Sequence, residues 1–214
     1  FDYCFVDWAG FRLLRGAGLA NVFHQPLFGH DPLVFRDLGT GRDLDLSFCG
    51  NRNAALHRDR NRLLRQAALW GRDRPIHLRQ AFGEEYVDIL NRSRMVFNFS
   101  IRGEANMRLF ESMACGAVPL VEEDNQEVPL LLVEGVHYLS YPRMRLGERL
   151  DSLLADPARL EAVAAAAKVE ASRHTKASQL KTLLDVSIGR GPSFTGATPD
   201  LSAQSGSRAG RLGS

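Results

Sequence analysis

The stretch SRMVFNFSIRGEANMRLFESMACGAVPL, Ser93 to Leu120, decides the fold. Met95 to Phe99 is a short apolar run of strand-forming residues. Ile101 to Ala105 is polar and carries a glycine, so it reads as a loop. Asn106 stands at a helix N-cap, and Met107, Phe110, Met113 and Ala114 then recur at helical spacing. Cys115-Gly116 ends that helix, and Ala117 to Val121 is apolar again. A loop that leaves a strand and opens a helix presents backbone N–H groups with no intrahelical partner, which suits an anion. Glu111 lies about one turn inside the same helix. Phosphate donors beside a carboxylate suited to ribose hydroxyls point to a nucleoside diphosphate ligand.

Outward from this stretch, short apolar runs alternate with helical patterns. Phe1 to Val6 and Ala20 to His24 read as strands around a helix at Trp8 to Arg15. Gln25 to Thr40, with Pro26 and Pro32, is a connector. Leu44, Leu46 and Phe48 alternate with Asp45 and Ser47, a strand that ends at the Gly50-Asn51 turn. A helix follows over Ala54 to Trp70, with Leu56, Leu63, Leu64 and Ala67 toward a core. Ile76 to Leu78 is a strand, Tyr86, Ile89 and Leu90 mark a helix, and His137 to Tyr141 is the last strand. Glu122 to Glu127 reads as a loop and Val128 to Val133 as a short helix. Arg149 to Leu154, Ala158 to Ser172 and Thr175 to Leu184 are helical. Strands alternating with helices predict an α/β fold, a Rossmann-like parallel sheet with helices on both faces. Gly50-Asn51, Ser100 to Ala105 and Glu122 to Glu127 then share the rim at the carboxyl ends of the strands, where such sheets bind ligands.

Glu111-Ser112-Met113-Ala114-Cys115-Gly116 resembles the second half of the donor-binding motif of group-1 glycosyltransferases, mostly retaining enzymes of the GT-B fold. The longer stretch SIRGEANMRLFE is similar to the spore-coat-type subgroup. The family motif places a first glutamate eight positions before the second. Here that position is Gly103, and the nearest acid, Glu104, is one residue late. The resemblance implies the C-terminal half of a GT-B enzyme that takes a nucleotide-sugar donor and needs no metal or other cofactor. The backbone of Asn106, Met107 and Arg108 would cradle the diphosphate, and Glu111 would accept the ribose hydroxyls. Gly103 and Glu104 would lie toward the donor sugar. Gly50 and Asn51 would let the backbone approach the donor. A basic residue of the next helix would neutralise phosphate, with Arg58 the candidate. Arg58 and Arg62 share a face there, whereas Arg60 points elsewhere. Arg108 either binds phosphate or pairs with Glu111 at i,i+3.

The resemblance also implies a domain plan. Residues 1–24 would be a remnant of the N-terminal domain, 25–40 a linker, 41–186 the donor-binding domain and 187–214 a disordered tail rich in Gly, Ser, Arg and Pro. The first methionine is Met95, so the chain reads as a C-terminal fragment, expected to bind nucleotide weakly and to transfer no sugar alone. The helices from Arg149 onward are expected to pack on the missing domain. The acceptor is left open among glycan, lipid, protein and small molecule.

Composition excludes other classes. The 214 residues are 44% hydrophobic and 24% charged, ordinary for a globular protein. Three arginines and one aspartate from Val186 onward account for the net charge of +2, so the remainder is balanced. A balanced core argues against a nucleic-acid partner. No apolar run is long enough to span a bilayer, which leaves only peripheral membrane contact. Cys4, Cys49 and Cys115 are far apart and read as reduced core residues, consistent with a cytoplasmic setting. Asp43-Leu44-Asp45 has the form of a metal motif but sits at a strand start, away from the ligand rim. Asn125 and Glu127, in the loop after a rim strand, read as solvated loop or, alternatively, as contacts to the base or the sugar, and His174 reads as capping or packing a helix. Gly39-Thr40-Gly41 lacks the third glycine of a dinucleotide fingerprint, which argues against a nicotinamide-dependent dehydrogenase. Gly103 favours a second rival, a non-catalytic binding or scaffold module that kept the fold.

Overall fold

The computed structural model describes residues 2–26, 28–53 and 57–189. It begins with a parallel β-α-β unit. β1 (Cys4–Val6) pairs with β2 (Val22–His24) across helix α1 (Trp8–Gly16). Asp7 starts that helix, its Oδ1 accepting the Gly10 N–H at 2.7 Å. The Gln25 to Thr40 connector contains no helix and no strand beyond an isolated bridge from His30 to Thr175, apart from Leu27, which lies outside the described residues.

The main sheet holds β3 (Leu44–Phe48), β4 (Ile76–Leu78), β5 (Ser93–Phe97), β6 (Val118–Glu122) and β7 (Leu139–Tyr141). Its order is β4-β3-β5-β6-β7 and every pair is parallel. Parallel neighbours require crossovers, supplied by α2 (Arg58–Trp70), α3 (Gly83–Arg92), α4 (Met107–Ala114) and α5 (Val128–Leu131). The chain enters at β3, steps outward to β4, then returns past β3 to β5. The crevice between the carboxyl ends of β3 and β5 is therefore the switch point of the sheet. All three loops expected at the ligand rim leave carboxyl ends of parallel strands, with Glu122 itself the last residue of β6.

Alternation along the strands divides the core. Leu46 and Phe48, Met95 and Phe97, and Val118 and Leu120 face α2. The intervening Val96 and Val121 face the other side, where Leu109, Phe110 and Met113 of α4 lie. Ser47 points to that second side too and is satisfied by the Ser93 hydroxyl at 2.7 Å. Gly116 ends α4 in the left-handed region at φ 74°. The Gly116 N–H donates to Met113 O and the Ala117 N–H to Ser112 O, which satisfies the last carbonyls and turns the chain into β6.

Helices α6 (Leu146–Leu154) and α7 (Pro157–Ala171) correct one expectation. Their Leu150, Leu153, Leu160 and Val163 join the core with Leu46, Phe97 and Leu64, so they pack on this sheet rather than await a missing domain. By contrast, α8 (Lys176–Ser187) buries no residue. Residues up to Leu180 form one compact unit, and the described residues from Lys181 to Gly189 fall outside it. The expected start of α2 at Ala54, the core role of Leu56 and nearly all of the expected disordered tail lie outside the described residues. The three cysteines are unpaired, and burial pushes the Cys49 and Cys115 thiols up to about 12, so neither is a ready nucleophile.

Candidate functional site

The switch point is a cleft of about 410 Å³ whose lining includes Gly50, Arg60, Tyr86, Glu104, Arg108 and Glu111. Arg108 reaches from the first turn of α4 back to the end of β3. Its Nε donates to Cys49 O at 2.9 Å and its Nη1 to Asn98 Oδ1 at 3.5 Å, while the guanidinium lies 4.4 Å from the Phe48 ring centroid. Arg60 covers the same ring at 5.3 Å and donates through Nη2 to Asn51 O. Its Nε is buried without a partner. Among the described residues neither guanidinium forms an ion pair. Burial, and secondarily the Arg108 charge, lowers Arg60 to about 10. Two sequestered cations with no carboxylate in ion-pair contact are costly to bury, although Glu111 acts on Arg108 through space, and they suit an anion. Gly50 permits the arrangement, because a Cβ there would lie 2.6 Å from Arg108 Nη2 and 3.0 Å from Phe48 Cζ.

The phase of α2 places Arg60, rather than the expected Arg58, in the cleft lining. Its buried stripe runs through Arg60, Leu63, Leu64 and Ala67, which leaves Arg58 exposed. Extending the Leu63-Leu64 stripe back one turn would have identified Arg60 from the sequence. Asn51 is also exposed and outside the cleft lining. Its carbonyl holds Arg60, and its Oδ1 accepts the Asn53 N–H at 2.8 Å. The i,i+3 alternative for Arg108 does not form, since no ion pair joins it to Glu111 in the structure.

At the mouth of α4, Asn106 occupies the N-cap in extended conformation (φ −100°, ψ 168°) but makes no capping hydrogen bond. The Asn106 side chain thus leaves the Met107 and Arg108 N–H groups uncapped, while the Leu109 N–H donates to Asn106 O at 3.2 Å, and Asn106, Met107 and Arg108 all line the cleft. Glu111, one turn deeper, is only 5% exposed. Tyr86 Oη donates to its Oε2 at 2.6 Å, and no hydrogen bond to Oε1 forms among the described residues. Burial raises the Glu111 carboxyl above the usual glutamate range, against the lowering effects of Tyr86 and Arg108. Tyr86 is pushed well above its ordinary value, mainly by burial and then by the Glu111 charge, so it remains a donor. Replacing Tyr86 by Phe should weaken nucleotide binding about 10-fold by releasing this charge-assisted bond, as measured by calorimetric titration.

Glu104 lines the cleft, but its carboxylate is folded onto its own loop, accepting Ile101 N at 3.2 Å and Arg102 N at 2.7 Å. Gly103 is a turn residue outside the lining, at φ 78°, whose carbonyl accepts the Glu127 N–H at 3.0 Å. A Cβ there would also lie 3.3 Å from Gln126 N. A side chain in the register of the family's first glutamate would therefore be strained. We predict that Gly103→Ala lowers stability by about 1–2 kcal/mol in urea unfolding.

Asn125 and Glu127 are not solvated: they are 6% and 0% exposed. Asn125 Oδ1 accepts the N–H groups of Glu127 and Val128, and its Nδ2 donates to Ser100 Oγ and Glu122 Oε1. Nothing in the local sequence distinguishes the buried acids Glu122 and Glu127 from their exposed neighbour Glu123. His174 packs on Phe110 with ring centroids 4.8 Å apart and does not line the cleft. Asp43 takes two hydrogen bonds from Arg92, and among the described residues no cluster of His, Cys, Asp or Glu is placed to hold a metal.

Two guanidiniums without an ion pair, the start of α4 and a buried carboxylate thus meet at the switch point of a parallel α/β sheet, a set of groups suited to an anion. The chain belongs to the glycosyl transferase-like family, whose model matches residues 43–185. No curated protein matches the sequence. Among solved structures, the fold is similar to HepE of Anabaena in complex with UDP-glucose, at 11% identity and TM-score 0.65, over 88% of this chain and 64% of that one. It is also similar to the pneumococcal O-GlcNAc transferase GtfA in complex with UDP and GlcNAc, at 14% identity and TM-score 0.60, over 88% and 45%. The sucrose-phosphate synthase of Thermosynechococcus elongatus gives 12% identity and TM-score 0.62, over 86% and 58%. The chain thus spans about half to two thirds of the length of these structures. The GT-B-type fold expected from the Glu111 to Gly116 motif is the fold observed. No helix among the described residues is long and apolar enough to cross a membrane.

Proposed function

We propose that this chain is the donor-binding half of a GT-B glycosyltransferase that transfers a sugar from a nucleoside diphosphate to an acceptor. One observation carries the reading: Arg60 and Arg108 share the Phe48 ring beside the start of α4, and neither forms an ion pair among the described residues. In this reading the diphosphate lies between the two guanidiniums and the first-turn N–H groups. Glu111, held by Tyr86, takes the ribose hydroxyls. As the sugar departs, negative charge grows on the diphosphate, and fixed cations and helix-end dipoles stabilise it. β1-α1-β2 would belong to the opposing domain, residues 25–40 to the linker, and residues 41–186 to the donor domain. The unpaired thiols support a cytoplasmic setting. A uridine diphosphate sugar is the first donor to test, because the HepE and GtfA structures hold UDP.

Calorimetric titration of the chain with UDP, GDP, ADP, TDP and NAD tests this. Preference for one nucleoside diphosphate over NAD, lost in Glu111→Ala, is the expected result. Equal indifference to all five would sink the reading. Gly103 in its turn favours one alternative, a nucleotide-binding module that performs no transfer. Sugar transfer by the complete protein would exclude that alternative, whereas transfer by this chain alone would overturn the division of labour proposed here.

A further inference from the structure

We infer that Glu127 is a positioning residue that clamps the β1-α1-β2 unit to the donor loop, so that the loop's shape depends on residues 7–24. The inference rests on the donor-site reading above. Glu127 is fully buried at the start of α5. Its Oε1 accepts the Trp8 N–H at 3.0 Å and His24 Nε2 at 2.8 Å, and its Oε2 accepts the Ala105 N–H at 2.6 Å. Facing a carboxylate, Nε2 is the protonated nitrogen of His24. Trp8 opens α1, His24 ends β2, and Ala105 immediately precedes the N-cap of α4. One carboxylate thus joins the N-terminal unit to the backbone that sets the direction of the anion-binding helix start.

The clamp is built on both sides. The Glu127 N–H is held by Gly103 O at 3.0 Å and by Asn125 Oδ1 at 3.1 Å. The His24 ring packs edge-on against Trp8, with centroids 5.3 Å apart. Two further bonds cross the same boundary: Arg102 Nη2 to Asp7 Oδ2 at 2.8 Å and Arg12 Nη1 to Gln126 Oε1 at 3.2 Å. Arg102 and Arg12 are exposed, so these bonds add little, and the buried carboxylate with its three donors dominates. An amide cannot replace it. Gln offers one acceptor and one donor, so either Ala105 N–H or Trp8 N–H would face another N–H. Because the loop carries Glu104 and Asn106 into the cleft, docking of the N-terminal unit and seating of the nucleotide become coupled events.

Amide hydrogen exchange by NMR on the whole chain tests the clamp, with Glu127→Gln and His24→Phe as variants and UDP affinity measured in parallel. The core amides of Met95 and Leu120 serve as the reference. Expected are exchange about 10-fold faster at Ala105 in Glu127→Gln with the reference unchanged, and UDP binding about 10-fold weaker. His24→Phe lies outside the cleft and suits its aromatic surroundings; it should speed Ala105 exchange and weaken UDP binding about 3-fold. Ala105 exchange at the wild-type rate in both variants would overturn the inference, as would unchanged UDP affinity in both. If Glu127→Gln does not fold, His24→Phe alone decides. If the wild-type chain binds no nucleoside diphosphate, the donor-site reading fails by itself, and the exchange rates still decide whether the clamp exists.

Discussion

Arg60→Met and Arg108→Met should each lower nucleoside diphosphate affinity about 10- to 100-fold, since a charge-assisted hydrogen bond contributes about 1.5–3 kcal/mol. The double variant should lose less than the product of the two, because guanidiniums that share one ring are energetically coupled. The same variants should separate in stability. Methionine at 60 keeps a flexible apolar stem near Phe48 and removes a buried charge whose Nε has no partner. The carbonyl it abandons belongs to exposed Asn51, where water replaces the lost donor. The melting temperature of ligand-free Arg60→Met should therefore match or exceed that of the wild type. Arg108→Met strands the Cys49 carbonyl and the buried Asn98 Oδ1, which costs about 1–3 kcal/mol for each acceptor left dry. Its melting temperature should fall. Equal binding loss with opposite stability changes would show that the arginine pair is kept for its ligand, in the manner of a stability–function trade-off. Thermal unfolding with and without UDP, beside calorimetry, reads both quantities. A wild-type affinity in Arg60→Met would refute the anion-site assignment.

The parts of this molecule that a sequence displays best are those governed by local periodicity. The β5-loop-α4-β6 segment was legible because apolar alternation, an N-cap position and a Cys-Gly stop all lie within one short stretch. The placement of Glu111 inside α4 was legible because its motif is local too. Arg60 was missed because i,i+4 geometry relates Arg58 to Arg62 but does not say which face the sheet covers; the Leu63-Leu64 stripe does. Glu127 was missed for a different reason. Its partners Trp8 and His24 are 119 and 103 residues away, and no local pattern announces a long-range buried carboxylate. The packing of α6 and α7 on this sheet likewise depends on tertiary pairing, since an amphipathic helix shows its apolar face but not the surface that will cover it.

Glu111 gives the second large effect, and its pH dependence has a definite sign. Replacing Glu111 by Gln should weaken nucleotide binding about 100-fold, because an amide retains one acceptor and loses the charge that strengthens both ribose bonds. In the wild type the donor needs the ionised carboxylate. Burial raises the folded-state carboxyl above the ordinary glutamate value, so affinity should rise with pH across the window between that value and the raised one. Stability of the empty protein should move the other way in the same window. The folded state there binds more protons at Glu111 than the unfolded chain does, so this group's contribution is fully present at lower pH and is lost as pH rises through the folded value. Nucleotide removes the conflict, since ribose hydroxyls and the nearby Arg108 favour the ionised form. Calorimetry in two buffers of different ionisation enthalpy should therefore register proton release on binding within that window. Glu111→Gln should reduce the release to that of the terminal phosphate, whose second ionisation lies at about 6, and should flatten the stability profile. A release as large in Glu111→Gln as in the wild type would assign the titration to another group and remove Glu111 from the ribose site.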